Sequence, residues 1–386
     1  MEESSQVTIL INGVMLDDRN SRVHKFIVEE SFAEEFPKLT LFVTLRAEFL
    51  TQFPLTDGSP IVIKIYRSGT PNGLESWNFR CYHFDAMSVG DGGSFQYNIT
   101  AYHESLWTLN CLEDSCYTCA SNEVFKRIGN KAGLVVEDDP TMDKQTWFTL
   151  EGNRLQFMRD VCAHAFADKY SVYLWWVGKE GVLNFKNIVS RIQKQHKCIL
   201  TETTDMTKGI ATGRIPVMQV TYSMESGINN FKYGYGKYMS FFDSFNTKNR
   251  TIYPKDFESN VQTLNVYEDA QSLGWIDCGV NSKNTHANYN RAFVQNKRGL
   301  ALWSTVLTCI DLNNYPFRLG DCVKFDLKVD GFKEMLLYTG NYLVAGIYYS
   351  IDETNKPKTK LFLVRQGISE KSLDVSKPVK AVMKKK

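Results

Sequence analysis

Phe53-Pro54-Leu55-Thr56-Asp57-Gly58-Ser59-Pro60-Ile61-Val62-Ile63 and Tyr315-Pro316-Phe317-Arg318-Leu319-Gly320-Asp321-Cys322-Val323-Lys324-Phe325 are two stretches of one chain that carry the same pattern. An aromatic residue, a proline and a glycine recur in register, and Ile61, Ile63 and Ile65 then fall opposite Val323, Phe325 and Leu327. Apolar residues at every second position mark a half-buried strand, and the Pro and Gly mark the turn that enters it. A predicted hairpin follows each stretch: Asn78 to Ser88 with Ser94 to His103, and Gly340 to Ile351 with Thr359 to Gln366. A loop, a strand and a hairpin used twice read as an internal duplication.

Outward from the first copy, the leading hundred residues are strand-like. Leu39, Leu41, Val43 and Leu45 alternate with Thr40, Phe42 and Thr44, and Phe95, Tyr97, Ile99 and Ala101 alternate with polar neighbours. The period then changes. Val124, Phe125 and Ile128 before Gly133 predict a short helix ended by glycine, and Leu155, Met158, Cys162, Ala165, Phe166 and Tyr170 predict a longer one. Ser171 to Val177 and Val182 to Asn187, joined by Gly178-Lys179-Glu180-Gly181, predict a hairpin for that helix to pack on. Ile215 to Met224 is again a strand. Residues 228–284 lack clear periodicity, His286 to Arg298 predicts a helix stopped by Gly299, and four further strands follow up to Val364. The fold class is therefore α+β and β-dominated.

Composition bounds the function. The 386 residues are 43% hydrophobic and 23% charged, and 24 Phe, 19 Tyr and 7 Trp supply ample side chains for packed cores, which excludes a disordered chain. With 45 Lys+Arg against 43 Asp+Glu, the net charge of +2 creates no global field for nucleic acid or an anionic membrane. The acidic start Met1-Glu2-Glu3-Ser4-Ser5 does not read as a signal peptide, and the densest apolar runs are far too short to span a bilayer. Nine cysteines without framework spacing are expected to be reduced.

In order and spacing, the helix end Phe125-Lys126-Arg127-Ile128-Gly129-Asn130-Lys131-Ala132-Gly133-Leu134 and the run Trp147 to Tyr170 into Ser171-Val172-Tyr173-Leu174-Trp175 form a signature. With them go Arg298-Gly299, Phe317-Arg318-Leu319-Gly320-Asp321-Cys322-Val323 and Gly340-Asn341-Tyr342-Leu343-Val344. Together they resemble the central baseplate hub proteins of contractile-tailed phages, a family related to the hub part of type VI secretion spike proteins. The resemblance implies two similar antiparallel β-barrel tube domains, residues 1–107 and residues 206–230 with 300–367. Between them it implies an α/β domain at 108–205, while weak periodicity makes 231–299 an insertion and the polar, Lys-ended residues 368–386 a flexible basic tail.

The resemblance further implies a homotrimer whose six barrels make a pseudo-sixfold ring, joining a trimeric central spike to a hexameric tail tube and nucleating the tube. A threefold protomer carrying two quasi-equivalent surfaces meets a hexamer without breaking its own symmetry. Baseplate wedge proteins would be further partners. DNA would pass through the ring without specific recognition, and the protein would belong to the virion baseplate after assembly in the host cytoplasm. The N-terminus, residues 228–284 and the Lys-rich tail match nothing in the family. A hub of a bacterial contractile injection system shares this architecture, and a β-rich cell-wall or glycan hydrolase stays open as the enzymatic alternative.

No catalytic, cofactor-binding or metal-binding residue is assigned. Cys116-Tyr117-Thr118-Cys119 with Cys111 and His103 has ligand-like spacing, yet a structural zinc site commonly uses two such pairs and only one is present. Glu137-Asp138-Asp139 before Pro140 reads as a solvated turn, and His164 beside Cys162 as a packing histidine. Trp175 and Trp176 read as core, whereas Tyr233, Tyr235 and Tyr238 suit interface use as well as local packing.

Overall fold

A computed structural model describes residues 6–66, 74–90, 93–112, 115–149, 152–168, 171–192, 195–202, 214–217, 219–224, 238–243, 248–252, 275–281, 285–301, 305–312, 317–326, 338–352 and 357–365. The chain begins with β1 (Gln6–Ile11), β2 (Val14–Met15), β3 (Ser21–Ser31), β4 (Glu34–Arg46), α1 (Ala47–Gln52), β5 (Pro60–Tyr66), β6 (Leu74–Val89) and β7 (Ser94–His103). The middle holds α2 (Ser105–Leu109), β8 (Ser115–Cys119), α3 (Ser121–Lys131), β9 (Val135–Asp138), β10 (Gln145–Thr149), α4 (Arg154–Ala163), β11 (Tyr173–Val177), β12 (Val182–Asn187) and α5 (Ile188–Ile192). Then come β13 (Ile199–Glu202), β14 (Arg214–Val217), β15 (Gln219–Met224), β16 (Tyr238–Asp243), β17 (Lys248–Ile252) and β18 (Trp275–Asn281). The last described elements are α6 (Tyr289–Ala301), β19 (Thr305–Leu312), β20 (Cys322–Asp326), β21 (Gly340–Asp352) and β22 (Pro357–Arg365).

The duplication extends well beyond the two loops. The first seven strands pair in the order β2-β1-β5-β6-β7-β4-β3, and β13–β15 with β19–β22 pair in the order β14-β13-β20-β21-β22-β19-β15. Every neighbour is antiparallel except around β13, which runs parallel to both β14 and β20 where β1 runs antiparallel to β2 and β5. Even the irregularities repeat. β6 shifts register against β7 between Cys81 and His83, and β21 shifts against β22 between Val344 and Gly346. The extra residue of a bulge bends the strand, so each long strand is turned at the same place.

The loop that announced the repeat folds the same way twice. Gly58 and Gly320 have φ of 76° and 78°, a left-handed conformation that a side chain resists. Gly58 N–H donates to the Cys81 carbonyl at 2.8 Å and Cys81 N–H to the Ser59 carbonyl at 2.9 Å. Gly320 N–H donates to the Val344 carbonyl at 2.9 Å and Val344 N–H to the Asp321 carbonyl at 2.9 Å. A side chain closes each turn: Thr56 N–H donates to Ser59 Oγ and Arg318 N–H to Asp321 Oδ2. Tyr315, Pro316 and Leu327 of the second copy lie outside the described residues.

Each seven-stranded unit curls round its own core. Ile9, Phe26, Leu41, Ile63, Trp77 and Ile99 come from β1, β3, β4, β5, β6 and β7 into one cluster, joined by Tyr349 and Ile351 of β21. Leu200, Val217, Leu307, Phe325, Tyr342 and Leu361 form its counterpart. The predicted alternation is met: Leu39, Leu41, Val43 and Leu45 are all buried, as are Tyr97, Ile99 and Ala101. Two closed barrels, however, are not what the described strands form. β21 pairs with β3, which fuses both units into one 14-stranded sheet, and no set of pairings among the described residues closes on itself.

The middle unit packs α3 and α4 on the three-stranded sheet β11-β12-β9, with Phe125 stacked on Phe185 at 4.2 Å. Three details differ from expectation. α4 stops at Ala163 instead of continuing to Tyr170, because Asn296 Nδ2 of α6 donates to the carbonyls of Cys162, Ala163 and Ala165 and Asp143 accepts the Phe166 N–H. These side chains satisfy the backbone groups that another helical turn would have paired. α6 runs through Gly299 to Ala301, since a glycine weakens a helix by about 1 kcal/mol without ending it. The predicted strand Ile215 to Met224 is two, β14 beside β13 and β15 beside β19. β13 also pairs with β20.

Ala in place of either left-handed glycine should cost about 1 kcal/mol for the backbone alone. A Cβ on Gly58 would meet nothing within 4 Å, whereas one on Gly320 would lie 3.2 Å from the Trp176 ring, adding about 1–3 kcal/mol of overpacking. Urea unfolding of Gly58→Ala and Gly320→Ala should therefore show the second as the more damaging. Equal losses would rule out the Trp176 contact as a constraint.

Candidate functional site

The described side chains converge where the three units meet, at the turn Gly178-Lys179-Glu180-Gly181 between β11 and β12. Gly181 has φ of 77° and its N–H donates to the Gly178 carbonyl, so the turn is tight. It projects Lys179 between the two β units. The Lys179 ammonium donates to Glu30 Oε2 of β3 at 3.1 Å and to the Phe317 carbonyl of the second repeat loop at 3.4 Å. Its backbone N–H donates to Glu30 Oε1 at 2.9 Å, and the Trp77 ring lies 5.6 Å from the ammonium. Both side chains are buried, at 8% and 4% exposure. Burial alone would lower the Lys179 ammonium, but Glu30, Glu180 and Glu75 outweigh it and hold it above its ordinary value. Burial raises the Glu30 carboxyl, with Lys179 opposing.

The flanking residues complete the joint. Trp175 and Trp176 are successive and point to opposite faces of β11. Trp175 packs on Phe36 and Phe125 in the middle core, whereas Trp176 joins the core of the second β unit and lies 5.0 Å from Phe32. Arg318 reaches Glu180 at 3.5 Å. His103, at the end of β7, sits behind the turn with its Nδ1 2.9 Å from Ser105 Oγ and accepting the Ser105 N–H at 3.3 Å. Burial pushes this imidazole down to about 4 against the opposing carboxylates of Glu104 and Glu180. An open cleft of about 510 Å³ lies beside it, lined by Arg80, Trp107 and Glu180 among others.

The residues singled out for chemistry are not brought together. Cys116 and Cys119 stand three apart on β8, hence on opposite faces, the first exposed and the second buried, and among the described residues no His/Cys/Asp/Glu cluster is placed to hold a metal. Glu137 and Asp138 close β9 and Asp139 comes directly after it, so the three carboxylates extend a strand instead of forming a solvated turn. Each faces its own partner: Lys186 at 3.3 Å, Lys126 at 3.3 Å and Arg191 at 3.6 Å. His164 caps the end of α4 and stacks on Tyr289 at 3.8 Å. Burial pushes the Cys81 and Cys322 thiols up to about 11 and Cys198 and Cys309 up to about 12, far from nucleophilic thiolates. The eight cysteines whose side chains are described are free. Tyr233 and Tyr235, and the side chain of Tyr238, lie outside the described residues. Among the described residues no helix is long and apolar enough to cross a membrane.

Sequence reasoning passed over Glu30, Lys179 and Asn296. A signal for Glu30 existed: Phe26, Val28 and Glu30 occupy the inward positions of one alternating strand. Lys179 lies between turn glycines and has the pattern of an exposed loop.

No family model and no curated protein matches the sequence. Solved structures do match the fold. The 43 kDa tail protein of prophage MuSo2 from Shewanella oneidensis aligns with a TM-score of 0.59 at 10% identity, covering 94% of this chain and 98% of that one. A tail protein from Neisseria meningitidis MC58 gives 0.56 at 10% identity, covering 95% and 98%. An Escherichia coli component of the type VI secretion system, described as similar to the T4 bacteriophage tail proteins gp27 and gp5, gives 0.51 at 9% identity, covering 94% and 77%. This chain has the fold of phage tail proteins. At such identities the likeness is one of fold, and it extends over nearly the whole chain.

Two measurements probe the joint. Lys179→Met should cost about 3–5 kcal/mol in denaturant unfolding because Glu30 is left buried and unpaired, and adding Glu30→Leu should recover most of that loss. A double variant no better than the single would show that packing, and not charge, is what the lysine supplies. His103 takes up a proton near 6.5 when unfolded and near 4 when folded, so its contribution is complete above pH 6.5 and falls as the pH drops through that window. The total is about 3 kcal/mol. Thermal unfolding of His103→Gln between pH 7 and 4 should show a flatter slope than the parent chain, and parallel slopes would remove His103 as the cause.

Proposed function

We propose that this chain is a structural, non-enzymatic hub of a contractile tail baseplate. Three copies form a ring in which six β units, two per chain, alternate around the axis. The observation that carries this reading is the strand order used twice, down to the same glycine turn and the same bulge. A duplicated unit lets a threefold assembly offer six similar contacts to a hexameric tube while its threefold face seats a trimeric spike. The fold shared with phage tail proteins supports a place in the virion baseplate. The buried Lys179–Glu30 pair, which ties the middle unit to both β units, supports a scaffold role. Spike and tube proteins are the partners this reading names, with wedge proteins at the periphery and DNA passing through the ring.

Multi-angle light scattering of the chain, alone and with its spike partner, should give a mass of three copies. Class-averaged images should show threefold symmetry with six features at one end. An obligate interface of this kind buries more than about 2,000 Å², so a chain lacking β19–β22 should fail to assemble at all. A dimer, or a ring without sixfold features, would sink the reading.

A further inference from the structure

The middle sheet gives one face to the core under α3 and α4, and its other face borders a second cavity. Along β12 the side chains alternate: Leu183 and Phe185 enter the middle core, whereas Asn184 and Lys186 line the cavity. Arg191 of α5, Glu30 of β3 and the repeat loop at Arg318 to Asp321 enclose the rest, leaving about 180 Å³. All three units therefore contribute to its wall.

Two of the cations on that wall hold donors with nothing to accept them. The Lys186 side chain is 7% exposed, and among the described residues its ammonium reaches one carboxylate, Glu137, at 3.3 Å. An ammonium carries three N–H groups. Arg191 meets Asp139 at 3.6 Å through Nη2, while its Nε is buried and has no hydrogen-bond partner among the described residues. The other carboxylates on the wall are already matched. Glu30 pairs with Lys179 and Glu180 with Arg318, and Asp321 accepts from Lys197 Nζ and from the Arg318 N–H, both at 2.8 Å. Burial, with Arg191 beside it, holds the Lys186 ammonium below its ordinary value, although Asp139 and Glu137 oppose. A buried guanidinium N–H without an acceptor is destabilising, and an anion that accepts from it and from the ammonium removes that cost.

We propose that this cavity binds a small tetrahedral oxyanion, such as inorganic phosphate, between Lys186 and Arg191. Its volume lies below the roughly 300–1,000 Å³ of pockets for organic ligands, so an inorganic ion fits and a nucleotide does not. Glu137 is the group the ion displaces from Lys186, and at 49% exposure it can turn into water. Because Glu30 and the loop at Arg318 belong to the two β units, an ion held on the middle sheet fills the joint between all three and strengthens their docking. The inference does not depend on the hub reading.

Equilibrium dialysis of the full-length chain against radiolabelled phosphate, in chloride at fixed ionic strength, should show one ion bound per chain with a Kd at or below about 1 mM. Lys186→Met and Arg191→Gln should each weaken binding at least about tenfold, since each removes a charged hydrogen-bond donor. Glu137→Gln should tighten it, because the ion then meets no competing carboxylate at Lys186. Circular dichroism establishes that each variant is folded, and the exposed Glu137 keeps the test decisive if the lysine variant is not. Phosphate should also raise the melting temperature of the parent chain more than that of Arg191→Gln. An equal rise in both is the general stabilisation phosphate gives a folded protein and would count against the site. No saturable uptake at millimolar phosphate, or uptake that Arg191→Gln and Glu137→Gln leave unchanged, would overturn it.

Discussion

The architecture turns on one buried cation. An ammonium taken out of water is destabilising unless an anion and further acceptors surround it. Lys179 meets that requirement only when Glu30 of the first β unit and the Phe317 carbonyl of the second are both in place. The charge therefore makes the docking of three units conditional on each other. Its position on a glycine-bounded turn leaves the lysine backbone N–H free to donate to the same carboxylate, so the turn and the pair hold each other. Trp175 and Trp176 add the apolar part of the joint, one ring in each adjoining core.

Around this joint the duplicated units behave as one continuous sheet. A β unit of seven strands must bury one face, and each does so by curling round its own cluster, with bulges in β6 and β21 taking the bend. The bend also frees the far half of each long strand from its first partner. In β21 that half reaches across to β3, carrying Tyr349 and Ile351 into the core of the first unit. The two units thus share side chains as well as hydrogen bonds, and the link is a sheet ladder in place of a flexible linker.

The middle unit is completed from a distance along the chain. α6, reached through the segment that shows least periodicity, supplies Asn296 to three carbonyls at the end of α4 and Gln295 to the Asp168 and Ser171 carbonyls. Tyr289 stacks on the capping His164. Buried backbone groups need partners wherever a helix stops, and here a second helix provides them. The insertion between β15 and β19 is in this respect part of the α/β unit as well as an interruption of the second β unit.

Read alone, the amino-acid sequence determined the β-dominated class, the duplication, the α/β character of the middle and most strand positions. These come from local rules: period-two alternation in Leu39 to Leu45, a glycine where φ must be positive at Gly58 and Gly320, and a glycine closing the helix before Leu134. It also placed Trp175 and Trp176 in cores. Tertiary structure decided what depends on neighbours far along the chain. The stop of α4 at Ala163 was set by Asn296, and the burial of Lys179 by Glu30. The joining of the two β units, among the described strands, into one sheet was set by the pairing of β21 with β3. No local pattern carries those outcomes, because a strand edge and a charged side chain look the same in sequence whether they end in water or against a partner more than a hundred residues away.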